Sequence, residues 1–141
     1  MKSKPILNIT ADSFDKYGTV LEFSKDFDGV FEIIIKQPDS GWRLALLRHS
    51  GKTGRVMECH PRSMETFEPL SGILLIIVAP HDRPLDFEVF LLDKPVCLHA
   101  GVWHQVISLA AESQVKIAEN YQVESEYFEL ESDISAALIY E

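Results

Sequence analysis

The feature that most narrows what this chain can fold into is a succession of short β-branched or aromatic runs, broken at close intervals by turn-forming residues. The runs are Val30–Lys36, Leu44–His49, Arg55–His60, Ile73–Ala79, Phe87–Leu92, Val96–His99, Gln105–Leu109 and Val115–Glu119. Between them stand Pro38–Gly41, Ser50–Gly54, Pro69–Gly72, His81–Pro84 and Asp93–Pro95, rich in the Pro, Gly, Asp and Ser residues whose backbone angles and local hydrogen bonds make turns. Many short strands with little helical pattern predict an all-β fold, either a sandwich or a closed barrel. Ile73–Ala79 is apolar on both faces, as expected of a strand covered on both sides. One short helix is expected over Thr10–Tyr17, with Thr10 as N-cap, acidic residues early and Gly18 at the C-cap. Asp133–Tyr140 reads equally as a terminal helix or a last strand.

Composition bounds the function classes. A chain of 141 residues, 46% apolar and 25% charged, is expected to form one domain with a substantial core. Its 13 Lys and Arg against 22 Asp and Glu give a net charge of −9, which argues against nucleic acid and anionic membrane surfaces as partners. The two cysteines, Cys59 and Cys97, form no metal-binding pair in sequence and fit a reducing compartment. The N-terminal MKSKPILNIT has no signal-like apolar core, and no apolar run approaches the roughly 20 residues of a membrane span. A cytoplasmic protein acting on a small molecule is the expectation.

Two stretches carry chemistry. In the first, Glu58 and His60 are two residues apart, so on a strand they share a face while Cys59 points away. Pro61 ends regular pairing, and a turn is expected to bring Glu65 back beside that face. In the second, Gly101 permits the tight turn that begins the strand carrying His104. Two imidazoles and two carboxylates on neighbouring strands form a mixed nitrogen and oxygen set suited to zinc, nickel, manganese or iron(II). Each residue also has a structural reading: Glu58 and His60 as an exposed cross-strand pair, Glu65 as a solvated loop carboxylate, His104 as a core histidine. His99 reads as pocket lining or as a hydrogen bond that fixes the turn, and Trp103 as core packing or as a substrate platform. His49, His81, Arg62 and Lys94 are expected to have no functional role.

The spacing Glu58-x-His60-x4-Glu65-x6-Gly72 resembles the first cupin motif, with Glu58 in place of its first histidine. His99-Ala-Gly101-x2-His104 resembles the second, with His99 where proline is usual. The phrases HPRSMETFEPLSG, LLIIVAP and GVWH, with ADSFDKYGTVLE near the N-terminus, resemble the ureidoglycolate lyase family from about Thr10 to Glu119. That resemblance implies a double-stranded β-helix, the cupin jelly-roll barrel, usually dimeric. It also implies cleavage of ureidoglycolate to glyoxylate and urea in purine-nitrogen salvage. On this basis Glu65, His104 and His99 are the expected catalytic residues, and Glu58, His60, Trp103 and Gln105 the expected substrate contacts. Glu58, His60, Glu65 and His104 are the expected ligands of a divalent metal, zinc, nickel or manganese, with Glu65 as base if it does not ligate.

Departures from the family pattern bear on substrate. Gln105 stands where a histidine is usual, Glu119-Asn120 where an Asp-Arg pair can occur, and Leu98 where tyrosine is common. They leave a second reading open, a non-enzymatic cupin that binds a small metabolite or sugar.

Overall fold

A computed structural model of the chain describes residues 3–138. It contains eleven strands and, among the described residues, no α-helix and hence none long enough to cross a membrane. The strands are β1 (Ile6–Asn8), β2 (Gly18–Val20), β3 (Trp42–His49), β4 (Thr53–Cys59), β5 (Glu65–Ser71), β6 (Leu74–Ala79), β7 (Glu88–Leu91), β8 (Val96–Leu98), β9 (Trp103–Ser108), β10 (Ser113–Asn120) and β11 (Glu126–Ser135). They form a six-stranded sheet, β1-β7-β6-β9-β4-β11, and a five-stranded sheet, β2-β8-β5-β10-β3. Among the described residues, only the β1–β7 pairing is parallel.

The sheets are joined by a shared core. Leu74, Ile76, Val78 and Val106 of the first meet Phe67, Val96, Leu98, Val115 and Ile117 of the second. The alternate residues Leu75, Ile77, Ala79 and Ile107 point to the other face of the six-stranded sheet. There they pack with Met57, Trp103 and Leu130 in a second apolar cluster, which explains why all of β6 is buried. Full burial of a side chain such as Ile76 or Ile77 contributes about 1.5–3 kcal/mol, so β6 anchors both layers.

Three sequence expectations are corrected. Residues 11–17 form turns rather than a helix. Thr10 and Ser13 do cap each other reciprocally (2.9 and 3.0 Å), but only Phe14 N→Thr10 O and Gly18 N→Phe14 O close rings of the α-helical i→i−4 kind. Phe14 and Tyr17 are instead drawn into an edge-on aromatic cluster with Phe90. Gly18 does not serve as a left-handed cap; a Cβ there would lie 2.2 Å from the Cys97 carbonyl oxygen, so glycine is needed for close pairing of β2 with β8. Val30–Lys36 forms no strand, and Val30 and Phe31 are 96% and 80% exposed: β-branched composition does not make a strand without an edge to pair with. The C-terminal stretch continues β11 to Ser135, and its last residues lie outside the described ones.

Candidate active site

The cluster is built by strand register. Glu58 on β4 lies directly opposite His104 on β9 in one sheet. Glu65 on β5 lies directly opposite Glu119 on β10 in the other, and Glu119 in turn opposite Arg43 on β3. Val106, Phe67 and Ile117, two residues along from His104, Glu65 and Glu119, belong to the shared core, so period-two alternation turns all three polar side chains inward. The polar level therefore closes one end of the apolar core. His60 follows β4 immediately and is buried at 5% exposure.

Glu65 is the centre of this cluster. It arrives on a strand of the opposite sheet, not by a turn beside β4. His60 Nε2 lies 3.2 Å from Glu65 Oε2 and His104 Nε2 3.0 Å from Oε1. Apart from that His104 contact, Oε1 is buried with no hydrogen-bonding partner. Glu58 Oε1 sits 4.0 and 3.8 Å from the same two nitrogens. Each imidazole turns its other nitrogen to a backbone carbonyl: His60 Nδ1 to Glu124 O at 2.9 Å, His104 Nδ1 to Val102 O at 3.1 Å. Carbonyls only accept, so Nδ1 carries hydrogen in both rings and Nε2 is the atom offered to the carboxylates.

Electrostatics follow from this arrangement. The hydrogen bond with Glu65 raises His60 to about 9, against the opposing effect of burial. For Glu65, burial alone would raise the carboxyl, but His104 and His60 outweigh it and hold it at about 2. Glu119 moves upward, first through burial and then through the neighbouring Glu65, although Arg43 bonds its Oε1 at 3.2 Å and pulls it back. Two adjacent carboxyls are thus shifted in opposite directions, Glu65 downward and Glu119 upward.

The donor set fits a metal. Glu58, His60 and His104 can bring one ligand atom each within 4.8 Å of one another, and so can His60, Glu65 and Glu119. Two Nε2 lone pairs facing carboxylates need a cation between them, either protons or a metal ion, and the Nδ1–H···O=C contacts are the outer-sphere bonds that orient metal-binding histidines. The orphaned Glu65 Oε1 is consistent with the same need.

Other expected site residues lie elsewhere. Trp103 and Gln105 alternate with His104 and point to the opposite face of the six-stranded sheet. Trp103 stacks on His81 and donates Nε1–H to its carbonyl at 2.9 Å, while Gln105 packs over Gly54 and Met57. His99 is exposed, with Nε2 3.0 Å from the Asp15 carbonyl, so it ties the turn to the N-terminal segment. Asn120 bonds Ser63, and Leu98 is buried in the core beside Glu65. Sequence reasoning missed Glu119 and Arg43. The row Val115, Ile117, Glu119 held the signal: a carboxylate that ends an inward-facing apolar row must meet a partner.

A two-sheet β protein with a buried carboxylate–imidazole cluster between its sheets is the class that fold and site define. The sequence profile of the ureidoglycolate lyase family matches residues 47–135, from the end of β3 to the end of β11, and the chain belongs to that family. No curated protein matches it individually. Among solved structures, a single-residue mutant of the Bacillus subtilis oxalate decarboxylase OxdC is similar over 68% of this chain and 24% of that one, at 17% identity and a TM-score of 0.35. A second oxalate decarboxylase structure, described by a structural element that modulates proton-coupled electron transfer, gives the same values. The chain thus spans about a quarter of the length of the enzymes it matches (24%).

Proposed function

We propose that this chain is a carbon–nitrogen lyase that splits ureidoglycolate, or a closely related 2-hydroxy acid derivative, into glyoxylate and urea. In this reading the sheets close as a cupin barrel and the protein acts on its small substrate as a cytoplasmic homodimer. The observation that carries the proposal is the meeting of Glu58 and His104 from one sheet with Glu65 and Glu119 from the other, around buried His60.

The chemistry needs one proton removed and one delivered. Removing the proton from the substrate hydroxyl lets its oxygen electrons form the glyoxylate carbonyl. The C–N bond pair then leaves with the urea nitrogen, which takes up a proton. The ionised Glu65 carboxylate is the acceptor the cluster holds for the hydroxyl proton, a weak base that depends on activation of the hydroxyl. Glu119, whose carboxyl is pushed upward beside it, is suited to return a proton to the departing nitrogen. Arg43, hydrogen-bonded to Glu119 and half exposed, is the cation suited to the substrate carboxylate. A divalent ion on Nε2 of His60 and His104 and the Glu58 carboxylate would supply Lewis-acid activation of the hydroxyl.

The test is urea release from ureidoglycolate by purified protein given zinc, nickel or manganese, with His104→Ala abolishing it while the circular dichroism spectrum stays that of a folded β protein. No turnover with any of the three metals refutes the lyase. Ligand binding without turnover would then point to the metabolite-binding alternative.

A further inference from the structure

A second cluster of ligating side chains lies on the other face of the six-stranded sheet. Cys59, the last residue of β4, lies opposite Glu126, the first residue of β11. His81, in the turn after β6, reaches the same point. Glu126 Oε1 is 3.3 Å from His81 Nε2 and 3.8 Å from Cys59 Sγ, and one ligand atom from each residue lies within 4.8 Å of the others. We propose that Cys59, His81 and Glu126 form a zinc site, separate from the inner cluster, with a fourth position open to solvent.

The spacing matches tetrahedral zinc. Bonds of about 2.3 Å to sulfur and about 2.0–2.1 Å to nitrogen and oxygen require ligand separations of about 3.3 Å for N···O and about 3.5 Å for S···O. The distances of 3.3 and 3.8 Å are within a few tenths of an ångström of those edges, and the third edge, His81 to Cys59, lies within 4.8 Å and closes as the ion draws the exposed imidazole in. His81 is also held in place: Trp103 stacks on its ring at 5.7 Å with an interplanar angle of 7°, and the Trp103 Nε1–H anchors its carbonyl. The thiol is buried, whereas the His81 and Glu126 side chains are 54% and 51% exposed, so an ion has a route in and room for a water ligand. A combined sulfur, nitrogen and oxygen set favours zinc over magnesium or calcium, which take oxygen. The strand period keeps the two sites apart, since Cys59 points away from Glu58 and His60 on either side of it. Bound zinc would clamp β11 and the β6–β7 turn to β4.

Cobalt(II) is the probe, because only a thiolate ligand gives a sulfur-to-cobalt charge-transfer band in the near ultraviolet, and the inner cluster contains no sulfur. Chelator-treated wild-type protein should develop that band with quenching of tryptophan fluorescence, and zinc should displace it. Cys59→Ser should remove the band and Cys97→Ser should leave it. His81→Ala and Glu126→Gln, at exposed side chains, should each weaken cobalt binding by more than the about tenfold lost on outer-sphere substitution. Folded wild-type protein without the band overturns the proposal, as does a band that survives Cys59→Ser. If Cys59→Ser does not fold, undiminished affinity in both exposed-residue variants overturns it.

Discussion

Glu65→Gln separates the charge of the inner cluster from its shape. In metal-free protein the Glu65 carboxylate is the largest cause of the rise of His60 from 6.5 to about 9. With the amide in its place, the opposing effect of burial is left against only the Glu124 carbonyl and Glu58, and the His60 pKa should fall well below 9. At about 1.4 kcal/mol per pH unit, the wild-type rise corresponds to at most roughly 3–4 kcal/mol. The cluster opens toward Glu58, whose side chain is 35% exposed, and solvent screening reduces that ceiling to about 1–2 kcal/mol of stability.

The sign is set by the direction of the shift. A raised imidazole pKa contributes its full stabilisation below about 6.5 and loses it as pH rises through about 9. Wild type should therefore exceed Glu65→Gln in stability at pH 6, by less at pH 8. Above pH 9 the order should reverse, because wild type then holds an ionised Glu65 against neutral rings. Guanidinium unfolding at these pH values measures the gap, and NMR titration of the His60 ring gives its pKa directly. An unchanged His60 pKa in the variant, or a gap that widens with pH, refutes the reasoning.

Two further outcomes test placement and packing. His99→Ala and Gln105→Ala should each leave urea release within about twofold of wild type, since neither side chain reaches the inner cluster, and a tenfold loss in kcat/KM would contradict that placement. Gly18→Ala should cost about 1–3 kcal/mol in guanidinium unfolding, because its Cβ would lie 2.2 Å from the Cys97 carbonyl oxygen; a cost under about 0.5 kcal/mol would mean that β2 shifts freely.

What was legible in the sequence was what repeats with the strand period. The doubly apolar run of β6, the shared parity of Glu58 and His60 and the opposed parity of Cys59 are all local, and the structure has them. Glu65 was recognisable as a site residue, but the route by which it arrives was not. The stretch after it contains Glu68 and Pro69, which hide a strand; Pro69 is accommodated because pairing of β5 with β8 ends at Phe67 and the β10 register shifts beside it. The family resemblance groups Trp103 and Gln105 with His104 as one contiguous stretch. Adjacency in a strand is the wrong measure of proximity, since neighbours face opposite ways. Glu119 and Arg43 come together only through pairing of β10 with β3 across a long sequence separation, so the inward row of β10 shows that Glu119 needs a partner but not which one.

The same alternation ties the two candidate sites to one register. Strand β4 contributes Glu58 to the inner cluster and Cys59 to the outer one, and β9 contributes His104 inward and Trp103 outward. A slip of β4 by one residue would bury Glu58 and His60 in the Met57, Leu75 and Ile77 layer and turn Met57 and Cys59 toward the carboxylates. Neither layer could accept that exchange without an unpaired buried charge. Selection for the inner chemistry therefore fixes the outer geometry as well. β4 has only one directly paired position with β9, Glu58 opposite His104, so this register rests on few ladder bonds between those two strands. The pairing of β4 with β11, from Glu126–Cys59 to Glu129–Val56 and again near Gly54, supplies the rest. An ion bound by Cys59, His81 and Glu126 would hold β4 at the point where the inner cluster depends on it most.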